Sequence, residues 1–228
     1  MLPPLAITAR FDVVTQEVRS SPYCWNLLAV RDTNRLLDEI SPAQFEADGR
    51  LPYWADVWAS SPVLAGHLRR RPGIAGMDLL ELGCGLGLAG IAAAQAGASV
   101  TMTDYEDDAL DFARYNASLN LTPEELARVT FRSLDWRRPD LRKTFDVIAG
   151  ADIAYERVAF EPLLSLVRTM LRPGGVFLLT DPQREIGRDF ILLASTRGFS
   201  ASGRPVPVTH RGRDMIVVLW ELTRRGES

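Results

Sequence analysis

The sequence predicts a doubly wound α/β domain with a mostly parallel sheet and an N-terminal cap. Three observations predict it. From about residue 77 onward, short apolar runs alternate with segments of helical period, the rhythm of a parallel sheet covered on both faces. The first run, Met77–Leu82, feeds directly into the glycine turn Gly83-Cys84-Gly85-Leu86-Gly87. Four of the first five runs end on an aspartate, namely Asp104, Asp135, Asp152 and Asp181.

Taken in order, the elements follow local rules. Leu88–Ala96 is Ala-rich and helical, and Gly97 closes it as a C-cap. Ser99–Thr103 reads as a second strand ending at Asp104, and Asp107–Leu119 as an amphipathic helix. Val129–Leu134 is a third strand ending at Asp135, and Phe145–Ala151 a fourth ending at Asp152. Ala159–Leu171 is a helix stopped by Arg172-Pro173-Gly174-Gly175, and Val176–Thr180 a fifth strand ending at Asp181. Arg188–Arg197 is a helix closed by Gly198, and Met215–Leu222 is the last apolar strand. Upstream the rhythm is missing. Arg31–Ile40 reads as one helix, and a second begins at Ser60/Ser61-Pro62 and runs through Arg71. We therefore expect residues 1–75 to form a helical or irregular cap and residues 76–228 the sheet domain.

Right-handed crossovers put the carboxyl ends of parallel strands on one edge, where ligands of such sheets bind. The aspartates are thus expected to crowd one rim. Asp is also a common cap at strand-to-helix turns, so each alone carries either reading.

Composition narrows the function classes. The chain has 228 residues and a formal charge of −3, with 46% hydrophobic and 24% charged residues. That excludes a largely disordered chain, a collagen and a disulfide mini-protein. Near-zero net charge argues against a protein that grips long nucleic acid through phosphates. The 26 basic residues comprise 25 Arg and a single Lys, Lys143. The two cysteines, Cys24 and Cys84, have no metal-ligand spacing, and no metal site is expected. No stretch approaches the ~18 apolar residues of a membrane span. Met1-Leu2-Pro3-Pro4 does not open a signal peptide, so a cytoplasmic location is expected.

The glycine turn is the most informative string. Glycines at alternate positions let the backbone turn sharply and approach a ligand with no Cβ in the way. From Gly85 the letters G-x-G-x-x-G of a dinucleotide fingerprint also fit, so the spacing alone leaves that alternative open. Glu81 before the first glycine discriminates better, because an acid suits a cationic group more than a pyrophosphate.

Glu81-Leu82-Gly83-Cys84-Gly85-Leu86-Gly87 resembles motif I of the class I S-adenosylmethionine-dependent methyltransferases. Asp104 fills the place of the acid that ends their second strand. The resemblance covers roughly residues 51–222. It implies a Rossmann-like, seven-stranded sheet whose last strand is antiparallel, inserted by a hairpin around Val206–Asp214. It implies S-adenosylmethionine as cofactor, bordered by Gly83, Gly85 and Gly87, with Asp104 on the ribose hydroxyls. Asp135-Trp136 resembles the pair that holds the adenine. Asp152-Ile153-Ala154-Tyr155 resembles the D-x-x-Y motif of lysine methyltransferase family 16, which includes nicotinamide N-methyltransferase-like proteins. Pro52-Tyr53-Trp54-Ala55 with Trp58, and Asp181-Pro182-Gln183-Arg184, resemble the branch that methylates the electron-transfer flavoprotein β-subunit.

The expected activity is methyl transfer to a protein lysine, with that β-subunit as the specific expectation. A lysine has a reference pKa of ~10.4 and must arrive neutral. Asp152 is expected to orient the amine and bound the cofactor, Tyr155 to form part of the acceptor pocket, and Trp58 and Trp54 to close over the site. Two alternatives stand beside it: methylation of a small amine or pyridine, and a non-catalytic cofactor-binding interaction protein. A DNA adenine enzyme would show [DNS]-P-P-[YFW] after the fourth strand, and this chain has no proline there. The oligomeric state is not readable.

Overall fold

The computed structural model describes residues 4–38 and 51–226. A short helix, α1 (Leu5–Thr8), precedes an antiparallel hairpin of β1 (Val13–Ser20) and β2 (Tyr23–Val30). The hairpin turns at Ser21-Pro22, whose peptide bond is cis. Helix α2 (Thr33–Asp38) follows, so the expected helix over 31–40 is real and starts two residues later, at Thr33; Glu39 and Ile40 lie outside the described residues. The N-terminal part thus holds an antiparallel hairpin beside its helices, which the expectation of a helical or irregular cap lacks. The pattern is hard to read because β2 is buried along nearly its whole C-terminal half, leaving no polar–apolar alternation to see.

After a 3₁₀ turn at Tyr53–Ala55 come α3 (Ser60–Arg70), β3 (Asp78–Leu82), α4 (Leu88–Gln95), β4 (Ser99–Asp104) and α5 (Asp107–Asn120). Then follow the single-turn α6 (Pro123–Leu126), β5 (Val129–Ser133), β6 (Phe145–Ala151), α7 (Arg157–Met170), β7 (Leu171–Asp181) and α8 (Glu185–Thr196). The chain ends in β8 (Phe199–His210) and β9 (Arg213–Arg224). The sheet has seven strands in the order β5-β4-β3-β6-β7-β9-β8. Only β9 runs against the rest, between β7 and β8.

The final hairpin is longer than the apolar run Met215–Leu222 suggests. Its turn is Arg211-Gly212, both at positive φ, as a two-residue hairpin turn matching strand twist requires. β8 escapes a pattern search because Pro205 and Pro207 interrupt it. Prolines are tolerated there because β8 is the sheet edge.

Alternation along each strand sends neighbours to opposite faces. Leu80, Leu82, Ile148, Phe177 and Leu179 meet α7 and α8 on one side. Leu79, Val100, Met102, Val147, Ala149 and Leu178 meet α3, α4 and α5 on the other. Helix α4 is buried all round. Ala89, Ala93 and Ala94 face the sheet, while Leu88, Ile91 and Ala92 face the cap hairpin. Small side chains let one helix fit between two layers.

The outer edge of β2 is sealed by amide side chains. Asn116 on α5 accepts from Leu28 N (2.7 Å) and donates to Leu28 O and Leu86 O (both 3.0 Å). One turn on, Asn120 accepts from Asn26 N (3.0 Å) and donates to Asn26 O (2.8 Å). Residues i and i+4 of a helix thereby serve residues i+2 and i of a strand, satisfying backbone groups that no third strand pairs, the Leu28 ones buried. Among the described residues no helix is long and apolar enough to cross a membrane.

Candidate active site

The strand order reverses between β3 and β6, since the chain leaves β3 toward β4 and β5 and returns to β6 and β7 on the other side. At such a switch point the loops after the two central strands part and leave a crevice. Here those loops are the glycine turn and Asp152–Glu156. They border a cleft of about 360 Å³, inside the ~300–1,000 Å³ of small-molecule sites.

All three glycines of the turn sit in the left-handed region. Two show why no side chain is possible. A Cβ on Gly85 would stand 3.1 Å from the Trp54 carbonyl oxygen, on the cleft wall. One on Gly87 would stand 2.7 Å from Met102 Cε and 3.2 Å from Ala113 Cα. The turn therefore presses onto its neighbours, and its backbone forms the cleft floor.

Asp104 closes the β4 end. Its Oδ2 accepts from Gly85 N (2.9 Å) and its Oδ1 from Glu106 N (3.1 Å). Burial pushes its carboxyl up to about 6 against the pull of these N–H donors. Asp135 lies on the same wall in a two-point pair with Arg137, which holds its carboxyl below the usual range. Trp136 packs beside Gly83 and the buried Leu134. Gly83, Gly85, Asp104, Asp135, Trp136, Asp152, Tyr155 and Trp58 all line the cleft, but Gly87, expected to border the cofactor, does not and packs against Met102 and Ala113.

Glu81 does not, which corrects the expectation that it faces a cationic ligand. It lies behind the glycine turn, 3% exposed, and its Oε2 accepts from Gly90 N (3.0 Å) at the start of α4. Burial pushes its carboxyl up to about 8, so near neutral pH it presents no full charge to anything. Its task is to satisfy one of the free N–H groups of a buried helix start. Asp181 also leaves the rim. Its Oδ1 accepts from Arg184 N (3.0 Å), making it the brace of the turn into α8.

Glu81 gives a stability prediction. An acid whose folded pKa stands near 8, against about 4.3 unfolded, binds its proton more tightly when folded. Its contribution is full at low pH and is lost as pH rises toward 8. Asp104 and Asp152 slope the same way but only up to about 6. Glu81→Gln retains the acceptor for Gly90 and removes the titration. Urea midpoints of the native chain should fall between pH 6 and 8, and the variant's should stay flatter; equal slopes would refute this.

On the β6 side, Asp152 adopts φ +58°, a left-handed backbone for a non-glycine residue, of the kind that collects at functional sites. Its N–H donates to Thr180 O (2.8 Å), which turns the carboxylate into the cleft. Burial pushes its carboxyl up to about 6 despite the neighbouring Arg184 guanidinium. Tyr155 is 38% exposed as a residue, yet burial pushes its hydroxyl up to about 12, so it acts as a neutral phenol. Its ring meets Tyr53 edge-on at 5.4 Å, and Tyr53 meets Trp58 at 5.8 Å. The Trp58 indole N–H donates to Tyr53 O (2.9 Å). Trp54 is anchored deeper, against Phe112 (5.3 Å) and Phe11 (5.8 Å), so it joins the cap to the cleft.

Two participants carry no role in the sequence reading. Tyr53 joins Trp58 to Tyr155. Arg184 pairs with Asp152 through both guanidinium nitrogens. Both stand in strings the sequence reading quotes, but nothing local says that they converge.

A profile of the lysine methyltransferase family matches residues 44–195. The chain is 37% identical over 132 residues to protein N-lysine methyltransferase METTL21A of Xenopus tropicalis, covering 57% of this chain and 61% of that one. It is 32% identical over 136 residues to EEF1A lysine methyltransferase 3 of Mus musculus, covering 59% and 58%. The match thus spans about three-fifths of these relatives' length. Among solved structures, the glycopeptide N-methyltransferase MtfA complexed with S-adenosyl-L-homocysteine shares the fold, with a TM-score of 0.62 and 18% identity over 81% of this chain and 98% of that one.

Proposed function

Because the chain belongs to the lysine methyltransferase family, we propose that it transfers a methyl group from S-adenosylmethionine to a lysine side chain of a partner protein. One observation carries the reading: a glycine turn with a bonded acid, Asp104, stands on one wall of the cleft, and a buried carboxylate ringed by aromatic side chains stands on the other. The residues suit the cofactor. The turn offers its backbone to the cleft at Gly83 and Gly85, Asp104 can accept from ribose hydroxyls, and Asp135 with Trp136 offers an acceptor and a ring face to an adenine. When bound, the cofactor supplies a methyl already activated by its sulfonium.

The protein's part is alignment, desolvation and proton handling. Asp152 pairs with the arriving ammonium and orients it. Its carboxyl near 6 keeps it ionised at pH 7–8, where it can relay the amine's proton toward solvent. Tyr155, Tyr53 and Trp58 give the alkyl stem an apolar passage and keep water from it.

Incubation with methyl-labelled cofactor and a lysate of the host tests this, followed by separation of protein from small molecules. Label in protein, mapping to lysine, is expected; label only in small molecules would replace the reading with a small-amine enzyme. Self-labelling does not confuse the result. Lys143 is the single lysine, and its Nζ is paired with Asp78 (2.6 Å) at the opposite end of β3 from the cleft. Purified electron-transfer flavoprotein is one arm: label on its β-subunit supports the branch resemblance, and label on other proteins alone discards that branch.

A further inference from the structure

Arg184 does not itself line the cleft but bonds a residue that does, Asp152, and the proposed reaction does not use it. Its Nη2 donates to Asp152 Oδ2 (3.2 Å) and its Nη1 to Asp152 Oδ1. Its guanidinium carbon stands 5.9 Å from the centre of the Trp58 ring. A carboxylate beside an aromatic face is what an alkylammonium seeks. In this structure that environment is filled by the protein's own cation.

We propose that Arg184 occupies the acceptor amine's subsite in the free protein, and that a substrate lysine must displace it from Asp152. The inference rests on the proposed methyl transfer and assigns the specificity of that same site. The mobility of the two partners differs in the required sense. The Asp152 side chain is 6% exposed and fixed by the backbone bond to Thr180, whereas that of Arg184 is 37% exposed. Its backbone is held separately by Asp181, so the guanidinium can swing out without moving α8. Among the described residues Asp152 is the only hydrogen-bond acceptor of that guanidinium.

The arrangement has two consequences. Asp152 is never left as a buried charge without a partner, because one cation replaces another. Entry also becomes selective. A neutral side chain cannot displace a guanidinium from a carboxylate, so only a cation gains on exchange. The internal competitor lowers apparent affinity by the fraction of time it holds the subsite.

The test is a titration of Nα-acetyl-lysine methylamide into the protein saturated with S-adenosylhomocysteine, at pH 8, read from the Trp58 indole N–H by NMR. Arg184→Gln should tighten the dissociation constant about 3–10-fold. Asp152→Asn should abolish the response. Arg184→Gln with unchanged or weaker affinity, or no response in either the native chain or that variant, overturns the proposal. A merely structural ion pair would weaken binding when cut, so the sign separates the two. S-adenosylhomocysteine affinity, measured by calorimetry on the same samples, reports the integrity of the cleft. Should Arg184→Gln lose it, Arg184→Met, which retains the apolar stem over Trp58, gives the same reading. If the native chain shows no heat with S-adenosylhomocysteine, the methyl-transfer reading falls, while the indole titration, run on the free protein, still decides the cation exchange.

Discussion

Asp152→Ala lowers methyl transfer by about 10²–10⁴-fold and leaves S-adenosylhomocysteine affinity within about twofold of native. The carboxylate lies on the acceptor wall, whereas Asp181 is turned into the start of α8. Its removal takes away both the partner of the incoming ammonium and the first acceptor of its proton. Alanine at φ +58° costs about 1 kcal/mol of backbone strain, so Asp152→Asn, which tolerates that region, is the control for folding. Initial rates with a labelled acceptor, set beside calorimetry, separate the effects. A variant that turns over at native rate removes Asp152 from the chemistry.

Asp104→Ala weakens S-adenosylhomocysteine binding by about 100-fold, roughly 2.7 kcal/mol. The change strips the acceptor from two main-chain N–H groups, at Gly85 and Glu106, and an unpaired buried donor costs about 1–3 kcal/mol. The glycine turn then loses the brace that sets its shape before any ligand arrives. The carboxylate would also receive the ribose hydroxyls, whose bonds favour the charged form. With the carboxyl pushed up to about 6, protonation begins close to neutral pH, so affinity in the native chain should fall as pH drops from 8 to 5. Asp104→Asn should bind more weakly but lose that pH dependence. Calorimetric titrations at several pH values check both, and an equally steep profile in the asparagine variant would assign the dependence to another group.

Legibility in the sequence followed the range of the interactions. The strands β3, β4, β5 and β6 could be read within a residue or so of their ends, because each is a short apolar run flanked by turn chemistry. The glycine turn was legible for the same reason, since positive φ is demanded locally and glycine meets it. The cap hairpin was not. Trp25, Leu27 and Leu28 look like any apolar cluster until Asn116 and Asn120, some ninety residues away, complete the edge of their strand. Glu81 shows the opposite failure. Its position in the motif was plain, yet its orientation depends on the start of α4 passing directly over it.

What the sequence alone determined is the order of the strands from β3 to β7 and the residue types at their ends, because backbone sterics and hydrophobic period act over a few residues. Which acids face the cleft was decided only in three dimensions. Asp104 and Asp152 turn inward, Asp181 and Glu81 turn away, and Arg184 comes to rest on Asp152 over the Trp58 ring. A carboxylate's role is set by whatever donor reaches it first, and those donors come from parts of the chain that only the packed sheet brings together.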